Sequence, residues 1–414
     1  MTFVTDLLAT VSRRSRALIG WKPAELEPRT PADIVALARA LLSRRGEASG
    51  TALARDILDA YRRLDPAGRL AVLEDFAAGF GADNARLDAA ITTYRAAPTP
   101  AAAAALHAAA EPPRQELIRR LNLAPRGTLA LVRLRDDLLA ALPSHADLKV
   151  LDDDLVHLFS SWFNRGFLVV RRIDWSTPAN ILEKIIRYEA VHEIRDWDDL
   201  RRRLEPEDRR CYAFFHPRLE DEPLIFVEVA LTAEIPDAIG PLIAEGGTPL
   251  AADEARVAVF YSISNCQTGL AGISFGSLLI KQVVEELKRE LPKLTTFVTL
   301  SPVPGFARWL AKERKTETGF LLDEDRELLA ALDAPDWRAD AARAQRVDRL
   351  LGRCAARYFL TAKTGGNRPL DPVARFHLGN GARLERINTG ADLSEAGLAQ
   401  SHGVMVNYLY DLPR

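Results

Sequence analysis

Apolar residues in the first part of the chain recur every three to four positions, the spacing of one face of an α-helix. The pattern runs through residues 34–42, 53–61, 70–76, 87–94, 129–139 and 151–163. The alanine-rich stretch 96–114 ends at Pro112 and Pro113, and it is either a helix with proline-marked ends or a linker. The pattern therefore predicts a helical domain over residues 1–160, with packing or oligomerisation as its role.

A different pattern begins after Gly166. Four β-rich apolar runs, at 167–170, 224–231, 257–263 and 296–300, are typical of strands. Ser176-Thr177-Pro178 is a favourable helix start, and an amphipathic helix is predicted from Leu278 to Leu291, between the last two strands. The order of these elements predicts an α/β or α+β catalytic domain over residues 161–414, with a strand–helix–strand crossover.

Composition narrows the class of protein. The 414 residues are 48% hydrophobic and 27% charged, which suits two globular domains. A net charge of −2 gives no general attraction to nucleic acid or to an anionic membrane. No apolar run reaches the ~18 residues that a membrane span requires.

Cellular location is predicted from cysteines and from the chain ends. The three cysteines are widely separated and odd in number, which favours a reducing compartment. Residues 1–21 mix leucines with arginines, and we interpret them as a surface helix rather than as a transit peptide. The last residues, Leu412-Pro413-Arg414, are not a peroxisomal signal. We therefore expect a cytoplasmic protein.

A glycine-rich turn, residues 267–277, joins a predicted strand to the helix that begins near Leu278. Such turns let backbone amides at a helix N-terminus approach a phosphate, although glycines also serve simply to form tight turns. The spacing matches neither the Rossmann fingerprint nor a P-loop. It resembles the pyrophosphate loop of the GNAT acyltransferases, Q-x-x-G-x-G/A, and that resemblance implies coenzyme A as the ligand.

Longer motifs resemble the malonyl-CoA decarboxylase family. They are His216-Pro217 with Glu222-Pro223-Leu224, Phe260 to Ser264, Leu300-Ser301-Pro302-Val303-Pro304-Gly305-Phe306, Asp371-Pro372-Val373-Ala374, Phe376 to Ala382, and Met405 to Tyr408. They occur in the family's order across residues 160–410. The resemblance implies a helical N-terminal domain followed by a GNAT-like catalytic domain, and it implies a homo-oligomer, either a dimer or a tetramer.

The resemblance also assigns roles to individual residues. It implies that Ser301 and His377 are catalytic and that Tyr410 is an active-site tyrosine. The malonyl-CoA-binding segment that it implies consists of Ala271, Gly272, Ile273, Ser274, Phe275, Gly276 and Ser277. Some family members carry glutamate at the position of Ser274, so a role for that acid does not transfer to this chain.

These residue types suit decarboxylation of a thioester. Loss of carbon dioxide from malonyl-CoA leaves an enolate, which backbone amides near Gly276 could stabilise and which His377 could protonate. Ser301 could bind the carboxylate or pair with His377. The thioester is itself the electron sink, so neither a metal nor a separate cofactor is expected, and the remaining histidines lack metal-ligand spacing.

Other interpretations remain open at this stage. Ser301 precedes a proline and could be only a turn residue, and His377 could be a buried structural histidine. A GNAT-type acyltransferase and a non-catalytic acyl-CoA sensor are the alternative functions. The decarboxylase hypothesis requires that the side chains of Ser301 and His377 meet.

Overall fold

The computed structural model describes residues 30–43, 47–273, 278–316, 319–334 and 336–411. The described residues form two compact units. One contains the chain up to Phe167 together with residues 216–220 and 267–273, and the other contains the rest.

The first unit is built from amphipathic helices. Within the described residues these are α1 (Pro31–Ser43), α2 (Glu47–Arg63), α3 (Pro66–Gly79), α4 (Asn84–Ala96), α5 (Pro100–Ala110), α6 (Pro113–Asn122), α7 (Gly127–Ala141) and α8 (Lys149–Trp162). Their apolar faces bury residues such as Ile34, Val132 and Leu155 completely. The alanine-rich stretch is a helix, because Thr99 accepts the Ala102 N–H and Pro100 occupies the first turn.

The second unit contains all eight strands of the described chain. Its elements are β1 (Val169–Ile173), α9 (Ala179–Tyr188), α10 (Trp197–Leu204), β2 (Arg209–Phe215), β3 (Pro223–Thr232), α11 (Gly240–Ile243), β4 (Val257–Asn265), α12 (Leu278–Glu290), β5 (Thr296–Thr299), β6 (Ser301–Pro302), α13 (Phe306–Glu313), α14 (Asp323–Leu329), α15 (Ala341–Thr361), α16 (Pro372–Gly379), β7 (Arg383–Asn388), α17 (Glu395–Ser401) and β8 (Met405–Leu409).

These strands form one mixed sheet in the order β1-β2-β3-β4-β5-β8-β6, with β7 paired to β8. Strands β1 to β4 are antiparallel, whereas β4 and β5 are parallel and are connected through α12. The predicted crossover is therefore present. Strand β2 was not predicted from the sequence, because two arginines precede its run of buried residues. Strand β7 was not predicted either, because its sequence, RLERIN, does not alternate between apolar and polar residues.

The predicted fold class, a helical N-terminal part followed by an α/β part, is confirmed. Among the residues described, no helix combines the length and the apolar character needed to cross a membrane. Two clusters of buried apolar residues in the second unit include residues of the sheet. The candidate site lies on elements that end beside β4, β5 and β8.

Candidate active site

Ser301 and His377 meet in the second unit. Ser301 begins β6, directly after β5, and His377 lies in the last turn of the short helix α16. The Ser301 Oγ atom is 3.2 Å from His377 Nε2, although the two residues are 76 positions apart. Both side chains are at least 95% buried. The juxtaposition that the decarboxylase hypothesis requires is therefore present.

Two more hydroxyl groups extend this contact into a chain of hydrogen bonds. The Tyr410 hydroxyl is 2.8 Å from His377 Nδ1, on the far side of the ring. Ser301 Oγ donates to Thr299 Oγ1 at 2.8 Å. The chain of hydrogen bonds therefore runs from Tyr410 through His377 and Ser301 to Thr299.

The chemistry of the groups sets the direction of this chain. Burial raises the pKa of Tyr410 above its ordinary value, so the phenol keeps its proton and can donate it to Nδ1. A neutral imidazole that accepts at Nδ1 carries its proton on Nε2. Nε2–H then donates to Ser301, whose own proton is free for Thr299. All these contacts are satisfied together.

His377 is neutral in this environment. Burial lowers its pKa to about 3, and no carboxylate is among the described hydrogen-bond partners of the ring that could stabilise an imidazolium. The ring of Tyr408 stacks on the imidazole with centroids 4.7 Å apart and an angle of 24° between the planes. Stacking holds the ring plane while the two hydrogen bonds hold its rotation.

The sequence before His377 explains why α16 begins where it does. The Asp371 carboxylate accepts the Ala374 N–H at 2.9 Å, and Pro372 occupies the first helical turn. Burial raises the pKa of Asp371, whereas the hydrogen bonds that its carboxylate accepts from backbone amides lower it. This capped start places His377 six residues after Asp371, within hydrogen-bonding distance of Ser301.

A cavity of about 260 Å³ opens onto the Ser301–His377 pair. Its volume lies just below the 300–1,000 Å³ usual for drug-sized ligands, which suits a short acyl group and its thioester. Its walls are mainly apolar and come from β3, β4, α12 and α16, including Ile225, Val227, Phe260, Ile263, Leu279 and Phe376. Such walls strengthen the electrostatic interactions of the few polar groups inside.

The glycine-rich turn is described only in part. Ala271 and Gly272 are exposed, Ile273 is buried, and Gly272 has a φ of +79°, which favours glycine. The predicted binding residues Ser274, Phe275, Gly276 and Ser277 lie outside the described residues. Their part in binding stays a prediction.

Helix α7 fastens the described half of this turn within the first unit. Arg135 Nη1 donates to the carbonyl oxygens of Gly269 and Ala271 at 2.7 and 2.9 Å. The same guanidinium is paired with buried Asp152 at 2.8 Å. Gly269 lies against the helix so closely that a Cβ atom there would be 2.0 Å from the Val132 carbonyl oxygen.

We expect Gly269→Ala to lower the free energy of unfolding by about 1–3 kcal/mol, because the added methyl has no room and the turn must move. Gly81→Ala is the matched control in the same unit, since a Cβ atom at Gly81 meets nothing within 4 Å. Denaturant unfolding of both variants measures the difference. Equal stabilities would mean that the close approach at Gly269 is dispensable.

Sequence reasoning missed Thr299, Asn407 and the stacking role of Tyr408. Asn407 is fully buried and donates to the Thr299 carbonyl oxygen at 3.0 Å. Asn388, on β7, supports this arrangement by donating to Asn407 Oδ1 at 2.8 Å. The motif containing Asn407 and Tyr408 was visible in the sequence, but only the strand pairing shows what these side chains touch.

Two further observations concern Asp392 and metal-binding groups. Asp392 accepts the Ser394 N–H and is not among the residues that line the cavity. Across the described ranges, no group of three or more histidine, cysteine, aspartate or glutamate side chains is arranged to hold a metal ion.

Comparison with known proteins identifies the family. The model for the malonyl-CoA decarboxylase C-terminal domain matches residues 166–414, and the model for the N-terminal domain matches residues 80–163. The mitochondrial malonyl-CoA decarboxylases of Anser anser anser and Rattus norvegicus are 38% identical over 321 and 323 residues. Each alignment covers 72% of this chain, and 63% and 65% of the respective relatives' own lengths.

Solved structures agree with this assignment. The crystal structure of malonyl-CoA decarboxylase from Rhodopseudomonas palustris is 61% identical, with a TM-score of 0.89 over 93% of this chain and 94% of that one. The enzyme from Cupriavidus metallidurans is 37% identical, with a TM-score of 0.69 over 92% of both chains. On its sequence, its fold and the match of both domain models, the chain belongs to the malonyl-CoA decarboxylase family.

Proposed function

We propose that this protein is a malonyl-CoA decarboxylase that converts malonyl-CoA to acetyl-CoA and carbon dioxide. The observation that carries the proposal is the hydrogen-bonded line of Tyr410, His377 and Ser301 at the wall of an apolar cavity. A decarboxylase needs a proton donor at this place, aimed at the carbon that loses the carboxylate. The chain's family membership supports the substrate.

In the proposed reaction the bond between the carboxylate and C2 breaks, and its electron pair moves into the thioester as an enolate. The bond breaks most readily when the carboxylate stands out of the thioester plane. Ser301 turns its O–H from Thr299 to the malonyl carboxylate and holds it in that orientation. The thioester accepts the electrons, so no separate cofactor takes part.

Protonation of C2 completes the reaction, and the hydrogen-bond direction suits it. His377 Nε2–H passes its proton to C2 while Tyr410 O–H replaces it at Nδ1. The enolate carbon is a much stronger base than a phenolate, so this transfer is downhill even though burial raises the pKa of Tyr410. A proton from solvent then reaches Nε2 while Nδ1 returns its proton to the phenolate, which restores the starting tautomer and the phenol, and the reaction consumes one proton overall.

The test is to incubate purified protein with malonyl-CoA and to measure acetyl-CoA and carbon dioxide, which should form in equal amounts. In deuterium oxide the product should carry one deuterium at C2. Acyl transfer to an added amine without gas release would instead indicate the acyltransferase. Tight binding without turnover would indicate the sensor.

We expect Ser301→Ala to lower kcat about 10²-fold, the usual cost of removing one oriented hydrogen-bond donor. The cavity keeps its shape, so the protein should stay folded. Ser160→Ala, at an exposed helical position, is the control and should be unchanged. Steady-state kinetics decide the matter: a Ser301 variant with at least half of the original kcat would exclude a role for this hydroxyl.

We also propose that the protein is a cytoplasmic homo-oligomer, a dimer or tetramer that associates through the helical unit. Exposed Leu123 and Val150 on that unit offer apolar contact surface, and Cys211, Cys266 and Cys354 are free thiols, as a reducing compartment favours. Light scattering at micromolar concentration tests the oligomer. A monomer would exclude it.

A further inference from the structure

The β5–β8 pairing is irregular close to Ser301. Val298 pairs with Leu409 and Ser301 pairs with Val406 in one continuous register. That register sets Thr299 opposite Tyr408 and Leu300 opposite Asn407, and neither of these pairs is a regular ladder pair. The pairing of β5 with β8 is therefore irregular at Thr299, two residues before the serine.

Side chains take part in the hydrogen bonding where the ladder is irregular. The Tyr408 N–H donates to Thr299 Oγ1 at 3.2 Å, where a regular ladder would use a carbonyl oxygen. The Asn407 side chain donates to the Thr299 carbonyl oxygen at 3.0 Å and to the Pro236 carbonyl oxygen at 3.2 Å. Thr299 is fully buried, so its hydroxyl has no water as an alternative partner.

This arrangement leaves the Thr299 hydroxyl oxygen as the acceptor for Ser301. Thr299 Oγ1 receives the Ser301 O–H at 2.8 Å in addition to the Tyr408 N–H. A hydroxyl oxygen has two lone pairs, and these two donors occupy both. Ser301 consequently directs its proton away from His377 and presents a lone pair to Nε2.

We propose that Thr299 is a positioning residue that fixes the direction of the hydrogen-bond chain and thereby keeps the His377 proton on Nε2. Without this acceptor and before substrate binds, His377 Nε2 is the one described protein atom left to receive the Ser301 proton. The imidazole proton then moves to Nδ1 and points at Tyr410 instead of at the substrate. The inference rests on the proposed function for its catalytic consequence, but the tautomer itself does not depend on turnover.

The first experiment determines the tautomer directly. Protein labelled with ¹⁵N-histidine gives two-bond ¹H–¹⁵N spectra that show which ring nitrogen carries the proton, and loss of signals in His377→Gln assigns the residue. We expect Nε2–H in the unmodified protein, Nδ1–H in Thr299→Val, and Nε2–H again in Thr299→Ser. Nε2–H in Thr299→Val would overturn the inference.

The second experiment measures the consequence for turnover. Thr299→Val should lower kcat/KM about tenfold, the effect of one neutral hydrogen bond, and Thr299→Ser should restore it. In a Ser301→Ala background the same change should cost less than twofold, because Thr299 acts through Ser301. Equal losses in both backgrounds would show a merely structural role.

Controls separate these effects from unfolding and from the proposed function. Thr296→Val makes the same change at the start of the same strand, and it should alter neither the tautomer nor kcat/KM. If Thr299→Val does not fold, Thr299→Cys provides a weak acceptor of nearly serine size and should give the same shift to Nδ1–H. A protein without malonyl-CoA turnover contradicts the proposed function, whereas an unshifted tautomer contradicts only the role of Thr299.

Discussion

His377→Gln should lower kcat for malonyl-CoA about 10³-fold without unfolding the protein. Glutamine can still hydrogen-bond Ser301 or Tyr410, but its amide cannot accept a proton at one end while releasing another at the other. General acid–base groups contribute typically 10²–10⁴ in rate, and His377 is the group in contact with both hydroxyls. Steady-state kinetics with malonyl-CoA, together with circular dichroism, measures the effect.

A second histidine provides the control for this substitution. His402 ends α17 with a φ of +53°, a conformation that asparagine tolerates, and it does not line the cavity. His402→Asn should therefore keep the original kcat. A His377→Gln protein that retained more than a tenth of the turnover would remove this residue from the proposed mechanism.

Stability against acid should depend on the same residue. Burial lowers the pKa of His377 to about 3 in the folded protein, compared with 6.5 for an exposed histidine. Below pH 6.5 the unfolded chain binds a proton at this site that the folded protein refuses, so stability falls with falling pH until about pH 3. Between pH 7 and pH 4 the loss amounts to roughly 3 kcal/mol.

Comparison of the unmodified protein with His377→Gln isolates this contribution. The free energy of unfolding, measured in denaturant from pH 7 to pH 4, should fall by roughly 3 kcal/mol more in the unmodified protein. His192, whose pKa burial lowers to about 4, is present in both proteins and cancels from the difference. Parallel stability curves would mean that His377 titrates normally in the folded state.

Neutrality of His377 also bears on how the site works. An imidazolium would need a counter-charge in the cavity, and none of the described partners of the ring is an acid. A neutral ring between two hydroxyls needs no such charge, and it operates unchanged across physiological pH. The site thus depends on the direction of its hydrogen bonds more than on the ionisation of its groups.

The sequence by itself determined the elements with strong periodicity. Helices such as α3 and α8, the strands β3 and β4, and the helix between β4 and β5 all follow from the spacing of apolar residues, because each element buries one face or one run. The motifs around Ser301 and His377 also selected the two residues whose side chains meet. These features depend on neighbours along the chain or on a family pattern.

Tertiary structure alone decided the rest. Half of the residues of strand β7 are charged, and it is a strand because β8 supplies its hydrogen-bonding partners. Thr299 looks like any β-branched strand residue, and it stands out only because Tyr408 of β8, 109 positions later, donates its N–H to the threonine hydroxyl. The proposed tautomer of His377 likewise depends on three hydroxyls from two distant segments, because a proton's position is set by the partners around the ring and not by the residues beside it in sequence.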